Sequence, residues 1–292
     1  MRFLLTGASG FLGRHIARRL IDRGDEPLLL ARATSQMPAD IAPAQVARYS
    51  DADGIRKAIH AWKPDCVIHT ACSYGRRHER LAELVSTNVT FGLDVMEALA
   101  DGHASGPKLF INAGTSLQRN LNAYALTKAQ FVECAQTLAR TRTDLQFVNL
   151  RLEHMYGPHD DTSKFIGHVL RACRQSNAPL KLTSGLQRRD FIHVSDVVSA
   201  FLAVAERQEL LDTPVSEMDV GTGEAPTVRE VVEKIHRLTN SRTELQFGAL
   251  PLRDSEQMLS CADTARLRGL GWTPLHNLDS GLQDLIDSDS SQ

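Results

Sequence analysis

The chain has almost no net charge: 33 lysines and arginines face 35 acidic residues over 292 positions. That balance excludes the general field by which basic proteins gather nucleic acid or anionic membranes, so any anion must be recognised locally. No apolar run approaches the length of a membrane span. The sequence opens on an apolar strand at residue 2, leaving no room for a charged and apolar leader, and a cytoplasmic location is expected. Cysteine is scarce: Cys66, Cys72, Cys134, Cys173 and Cys261 are odd in number and show neither C-x-x-C nor Cys/His spacing. Disulfides and a metal site are therefore not expected, and buried thiols are the default. No internal repeat occurs.

What is present is an alternation of apolar runs and helical patterns. Strands are expected near 2–6, 27–32, 45–49, 65–71, 108–113 and 145–152, with helices near 11–23, 52–61, 80–100 and 123–140. This order predicts an α/β fold with a Rossmann-like, doubly wound parallel sheet. Gly24 suits the end of the first helix and Asp51 the cap of the helix through Ile55 and Ile59. The stretch 33–44, with Pro38 and Pro43, reads as structureless. From about 156 the rhythm breaks, with helices near 162–175, 196–207, 227–239 and 278–287 and a short strand at 179–182. A dinucleotide-binding domain over 1–155 and a smaller C-terminal α/β substrate lobe over 156–292 are expected. Part of 190–220 is free to return to the first domain, the lobe lying over the carboxyl edge of the sheet. The polar tail from Asp287 is expected to fray.

Gly7, Gly10 and Gly13, spaced by three, directly follow the apolar run Phe3-Leu4-Leu5-Thr6. Glycine here permits a sharp strand-to-helix turn and lets a pyrophosphate approach the backbone at the positive helix end. Alone, such spacing is equally consistent with tight-turn chemistry. Joined to Tyr124-Ala125-Leu126-Thr127-Lys128, it points to nicotinamide chemistry. Tyr124 and Lys128 are four apart and share a helix face. An ammonium beside a phenol favours the phenolate and would bring its pKa toward neutrality, and Lys128 would also hold the nicotinamide ribose. The plain alternative is an amphipathic helix with a surface lysine and a half-buried tyrosine.

A third catalytic group is expected from Ile111-Asn112-Ala113-Gly114-Thr115-Ser116. Thr115 is the choice, although strict counting from the strand end gives Ala113, Ser116 is also available, and the loop's polar residues can simply cap their own backbone. Arg32 stands about twenty residues beyond Gly13, where an NAD-dependent protein usually carries an acid for the ribose 2′-hydroxyl. A guanidinium there suits a 2′-phosphate, with Arg14 as helper, and points to NADPH rather than NAD. A solvated loop arginine is the other reading.

These residues, in this order, resemble the extended short-chain dehydrogenase/reductase family of nucleotide-sugar epimerases, dehydratases and reductases, over nearly the whole chain. Thr6-Gly7-Ala8-Ser9-Gly10-Phe11-Leu12-Gly13 resembles its cofactor loop, which places Ser9, Phe11 and Leu12 with the glycines on the dinucleotide. Val67 to Ala71 resembles its fourth strand and Asn88 its helix asparagine, implying cofactor contacts for Ala71 and Asn88. Arg151 with Tyr156-Gly157-Pro158 is similar to another family element. In the segment Gly185 to Val198, Arg189 matches the arginine on the substrate diphosphate, and Arg253 matches a second one; Leu270-Gly271-Trp272-Thr273-Pro274 completes the resemblance. Within the family, Ser73, Tyr74, Arg76, His154 and Lys164 fall in segments similar to deoxysugar-nucleotide 4-ketoreductases of the O-antigen type. The resemblance implies a sugar pocket at Ser73, Tyr74 and Arg76, and reach to the diphosphate or nucleotide for Lys164. His69 and His193, inside apolar runs, are expected to be structural.

Departures narrow the reading. Ser116-Leu117 stand where the dehydratases carry an Asp-Glu pair, and no cysteine lies between Cys72 and Cys134 as double epimerisation requires. The resemblance therefore implies NADPH-dependent reduction of the C4 ketone of a nucleotide-linked 4-keto-6-deoxy or 3,6-dideoxy hexose. A 4-epimerase with tightly held NAD and a dinucleotide-sensing protein without turnover are the alternatives. The resemblance also implies a homodimer built on the helices near 80–100 and 123–140. Leu81, Leu84, Val85, Asn88, Phe91, Gly92, Val95 and Leu99 cover an arc wide enough to leave an apolar face for a partner. A helix buried within a monomer is the other reading.

Overall fold

The computed structural model describes residues 1–290 except Pro43, 102–107, Thr143, Ser176, Asn177, Asp212 and Ser255. The chain forms two compact units, one of Met1–Arg151 with Phe201–Met218 and the other of Leu152–Ala200 with Asp219–Gln292. Through β6 the elements are β1 Phe3–Thr6, α1 Phe11–Asp22, β2 Leu28–Arg32, β3 Gln45–Tyr49, α2 Ala52–Trp62, β4 Cys66–His69, α3 Leu81–Val85, α4 Phe91–Ala100, β5 Lys108–Ala113, α5 Ala123–Thr141 and β6 Leu145–Leu152. There follow β7 His154–Tyr156, α6 Phe165–Gln175, β8 Leu180–Leu182, β9 Arg188–Arg189, β10 Phe191–His193, α7 Val194–Glu206 and β11 Val215–Val220. The chain then continues through α8 Val228–Leu238, β12 Leu245–Phe247, β13 Leu259–Ser260, α9 Ala265–Gly269 and α10 Leu278–Ser290.

Seven strands form one sheet in the order β11-β6-β5-β4-β1-β2-β3. β1 pairs in parallel with both β2 and β4, and β2–β3, β4–β5 and β5–β6 are parallel too. The strands nearest the centre are buried along their length, as helices on both faces of a parallel sheet require. The connection leaves β3 and returns beside β1 as β4, and such a reversal of order is where this architecture admits a ligand at the strands' carboxyl ends.

The first unit's core contains Leu4, Val67 and the rings of Phe110, Phe131 and Phe147. α4 approaches α5 closely because residue 92 is glycine: a Cβ there would lie 2.5 Å from Phe131 Cε2. The second unit has its own core, in which Tyr156, Phe191, Val231, Ile235 and Leu282 meet. Asp51 caps α2 by accepting from the Gly54 amide at 2.8 Å, and Gly24 (φ 81°) follows the end of α1. Asn122 caps α5 in the same manner as Asp51, accepting from the Ala125 amide at 2.9 Å.

Four expectations change. The helix near 80–100 is interrupted by a π-helical turn at Ser86–Thr90. The stretch 33–44 holds a short 3₁₀ turn at Ala39–Ile41. α10 continues through the polar tail to Ser290, 291–292 lying outside the described residues. Finally, Leu84 (2% exposed) and Phe91 (9%), expected on a partner-facing side, are packed inside. Phe91 stacks on Tyr49 with ring centroids 5.0 Å apart, and Leu84 lies against Gly75. Phe91→Asp is therefore expected to unfold the first unit, losing burial worth about 3–5 kcal/mol, rather than to yield a folded monomer. Circular dichroism on the purified variant checks this.

Candidate active site

The glycine loop joins β1 to α1. Gly7 has φ 74°, and a Cβ on it would lie 2.6 Å from the Ala71 amide nitrogen; a Cβ on Gly13 would lie 2.2 Å from the Gly7 carbonyl oxygen. Packing within the chain thus demands both. Gly10 differs. Its φ is −86°, and a Cβ would meet only the Gly7 carbonyl oxygen, at 3.3 Å. What its missing Cβ leaves accessible is the N-terminus of α1, which carries no side-chain cap. Uncapped amides behind a bare Cα fit a pyrophosphate. Ala8 is buried in this turn, whereas Ser9 is exposed and Phe11 half-buried beside His15.

Lys128 is 2% exposed and Tyr124 half-buried on the first two turns of α5. The Thr115 side chain is close enough to the Tyr124 hydroxyl to favour its ionised form, and Thr115 Oγ accepts from the Leu117 amide at 3.2 Å. Burial pushes the Tyr124 phenol well above its ordinary pKa. Cys72 and Tyr74 add to the rise, and Thr115 and Arg76 oppose it. The sequence predicts the opposite direction, from Lys128, but desolvation dominates and keeps Tyr124 protonated. Burial also lowers the Lys128 pKa, against which Cys72 acts. Lys128 Nζ lies 3.5 Å from Asn112 Oδ1. Asn112 in turn donates to Asn149 and Asn149 to Glu217, each at 2.8 Å, a chain of polar side chains absent from the sequence-based reading.

The loop after β4 brings the next groups in. The Tyr74 ring lies 4.9 Å from that of Tyr124, with the Arg76 guanidinium over Tyr74 at 5.2 Å. Glu79 shapes this loop by accepting from Ser73 Oγ at 2.9 Å and the Arg77 amide at 2.8 Å. Asn88 ties it down. Its Oδ1 accepts from the Ser73 amide at 2.7 Å, and its Nδ2 donates to the Ser73 carbonyl and to Thr127 Oγ1, both at 2.9 Å. With both amide hydrogens engaged and 1% exposure, Asn88 holds the Tyr74 loop against α5. The π-helical turn that presents it is a common functional irregularity. Ala71 is half-buried, its amide 3.4 Å from Thr6 Oγ1. Cys72 is also half-buried, and Cys134 and Cys261 are exposed, so buried thiols are confined to Cys66 and Cys173. His69, among the rings of Phe91, Phe110 and Phe131, has its pKa pulled down to about 3 by burial and is a neutral core residue.

At the end of β2, Arg32 is exposed. Arg48 on β3 donates from Nη1 to the carbonyls of Arg32 (3.2 Å), Ala33 (3.2 Å) and Ser35 (2.8 Å), shaping the turn that carries Arg32. Nothing in the glycine spacing signals Arg48. Arg14 Nε donates to both carboxylate oxygens of Asp40, at 3.1 and 2.9 Å. The expected helper on a 2′-phosphate is thus already paired, because the 3₁₀ turn brings Asp40 back to α1.

In the second unit Arg189 is 8% exposed and bonded to Glu256 Oε1 at 2.5 Å. Arg253 is exposed. Lys164 pairs with Asp160 at 2.6 Å. His154 is half-buried, its Nδ1 3.3 Å from Glu153 Oε2. Glu153 is buried and accepts from Ser260 Oγ at 2.9 Å. His193 is buried, its Nδ1 2.7 Å from Ser195 Oγ and its ring against Tyr156 and His276. Among the described residues no group of three or more His, Cys, Asp or Glu could hold a metal, and no helix is long and apolar enough to cross a membrane.

Residues 3–216 match the model of the NAD dependent epimerase/dehydratase family. The chain belongs to that family. CDP-abequose synthase of Salmonella muenchen is 30% identical over 291 residues, covering 98% of this chain and 97% of that protein. A putative UDP-glucose 4-epimerase of Methanocaldococcus jannaschii is 24% identical, with 97% of each covered. Among solved structures, MoeE5 in complex with UDP-glucuronic acid and NAD superposes with a TM-score of 0.83 at 26% identity, covering 100% of this chain and 99% of that one. UDP-glucose 4-epimerase of Thermotoga maritima reaches 0.85 at 21% identity, covering 100% and 99%, and shows the shared fold. Family membership makes this an enzyme with a nicotinamide dinucleotide as its cofactor.

Proposed function

We propose that this family member reduces the C4 ketone of a nucleotide-linked 4-keto deoxyhexose, using NADPH. The observation that carries the reading is Tyr124 on α5 with the buried Lys128, its ring 4.9 Å from that of Tyr74 and its phenol kept protonated by burial beside Thr115. A phenol in that state is an acid, able to deliver its proton to the oxygen at C4 as that oxygen gains charge. Thr115 would hold the same oxygen, and Lys128 the nicotinamide ribose. When bound, the nicotinamide supplies the hydride. Gly10 and the uncapped α1 terminus suit its pyrophosphate, and Arg32 on the turn shaped by Arg48 suits a 2′-phosphate. Tyr74 and Arg76 would face the sugar, Arg189 and Arg253 its diphosphate, with His154 and Lys164 toward the nucleotide. Similarity to CDP-abequose synthase supports a deoxysugar substrate and a cytidine nucleotide.

A 4-epimerase using NAD is the second reading. The Arg14–Asp40 pair favours it, since it ties up one of the two arginines expected on a 2′-phosphate. A dinucleotide sensor without turnover would have no use for a protonated Tyr124 on the same helix face as Lys128. Incubation with NADPH and a panel of CDP-, UDP-, dTDP- and GDP-linked 4-keto-6-deoxy and 3,6-dideoxy sugars decides between the enzymes. Loss of absorbance at 340 nm with one class is expected. Interconversion of 4-hydroxy sugars with no net cofactor consumption would support the epimerase.

The domain reading proposed with this function is a dinucleotide-binding first unit and a substrate-binding second unit. A homodimer is proposed through α3, α4 and α5. Since Leu84 and Phe91 are buried, its face would use Leu81, which is 54% exposed, with the half-buried Val85. Light scattering at micromolar concentration should give about twice the 32.2 kDa chain mass, and Leu81→Asp with Val85→Asp should halve it. A wild-type mass near that of one chain would reject the dimer.

A further inference from the structure

We propose that Glu256 is the internal counter-ion of Arg189 and sets how strongly that arginine takes an anionic group, a role that rests on the reading of Arg189 as the diphosphate ligand. Arg189 Nη1 donates to the Arg188 carbonyl at 2.8 Å and Nη2 to Glu256 Oε1 at 2.5 Å. The side chains are 10% and 22% exposed, so the pair is largely withdrawn from water, where a charge left unpartnered is costly. Among the described residues two of the five guanidinium donors are engaged, which leaves donors for a second acceptor. As a pair, however, Arg189 and Glu256 carry no net charge. A phosphate brought against the remaining donors would sit beside a carboxylate of its own sign, in surroundings that screen repulsion weakly.

The neighbouring acid does not play this part. Asp190 is fully buried and accepts from the Thr222, Gly223 and Ala262 amides and from Thr222 Oγ1. Those bonds fix the backbone around Arg189. Arg188 points elsewhere, its Nε donating to the Ala225 carbonyl at 2.7 Å. Glu256 is therefore the acid whose carboxylate exchanges with the incoming phosphate. The exchange makes binding selective: a diphosphate, with two negative charges, replaces the carboxylate, whereas a neutral or singly charged sugar derivative leaves the pair intact. Glu256 acts here as a specificity-determining residue, with no proton to move.

Calorimetric titration of inorganic pyrophosphate and of CDP tests the proposal on wild-type protein, Glu256→Gln, Arg189→Ala and the double variant. Glu256→Gln should tighten pyrophosphate about tenfold by removing the competing charge. That gain should vanish in the Arg189→Ala background. Glu256→Gln should also lower the melting temperature without ligand, by leaving Arg189 unpaired, and pyrophosphate should restore more of it than in the wild type. Should the Gln variant not fold, Glu256→Asp, which keeps the charge but withdraws it by one methylene, should show a smaller gain of the same sign. If Arg189→Ala weakens both ligands while neither Glu256 variant tightens them, the counter-ion role is overturned and the diphosphate reading of Arg189 stands. If Arg189→Ala changes neither ligand's affinity, the diphosphate reading itself fails, and the counter-ion proposal with it.

Discussion

Tyr124→Phe is expected to lower turnover by roughly two to four orders of magnitude, the range typical for loss of a general acid, while fold and NADPH affinity stay close to wild type. The ring can keep its place beside Tyr74, because that contact does not need the hydroxyl. What disappears is the hydroxyl beside Thr115 and the proton it carries. Stopped-flow turnover together with NADPH binding by fluorescence checks both halves. A variant retaining near wild-type turnover would remove Tyr124 from the chemistry. The direction of the pKa adds a pH prediction. An acid with a raised pKa stays protonated through neutrality, so reduction should be level there and decline only as alkali removes the proton.

Arg32→Asp carries the second large effect. A carboxylate in place of the guanidinium removes a charge-assisted pair with the 2′-phosphate, worth about 1.5–3 kcal/mol, and adds repulsion. It also supplies the acid that a 2′-hydroxyl prefers. The ratio of NADPH to NADH affinity should therefore fall by roughly a hundredfold or more. Dissociation constants for both dinucleotides measure it. An unchanged ratio would move recognition of the 2′ position elsewhere. Arg48→Ala should cause a smaller loss of the same sign, since it removes three bonds that shape the Arg32 turn without touching Arg32 itself.

The six strands of the chain's first half were legible in the sequence to within two residues: the central ones are buried on both faces and read as continuous apolar runs, whereas β3, at the sheet edge, showed by alternation. β11 was not legible: Val215-Ser-Glu-Met-Asp-Val alternates weakly with polar residues and gains its partner from a strand more than sixty residues earlier. The glycines showed themselves by spacing, but only their surroundings separate Gly7 and Gly13, which packing requires, from Gly10, which it does not. The four-residue step put Tyr124 and Lys128 on one face. It could not convey that burial would outweigh the ammonium and hold Tyr124 protonated. The wide apolar arc over 81–99 suggested a partner face because a helical wheel cannot see Tyr49 or Gly75, against which Phe91 and Leu84 pack. Asp40 and Glu256, the counter-ions of Arg14 and Arg189, lie 26 and 67 residues away in the chain and leave no local signal.

The central claim is hydride delivery to C4 of a 4-keto nucleotide sugar, and NADPH deuterated on the nicotinamide C4 tests it most directly. The enzyme, the labelled cofactor and an enzymatically generated CDP-4-keto-3,6-dideoxy hexose would be combined, and the product read by proton NMR and mass spectrometry. The account predicts stoichiometric NADPH oxidation, a product one mass unit heavier than with unlabelled cofactor, and loss of the proton signal at sugar C4. Unlabelled product formed without net oxidation of NADPH, whether an epimer or an eliminated sugar, would contradict it.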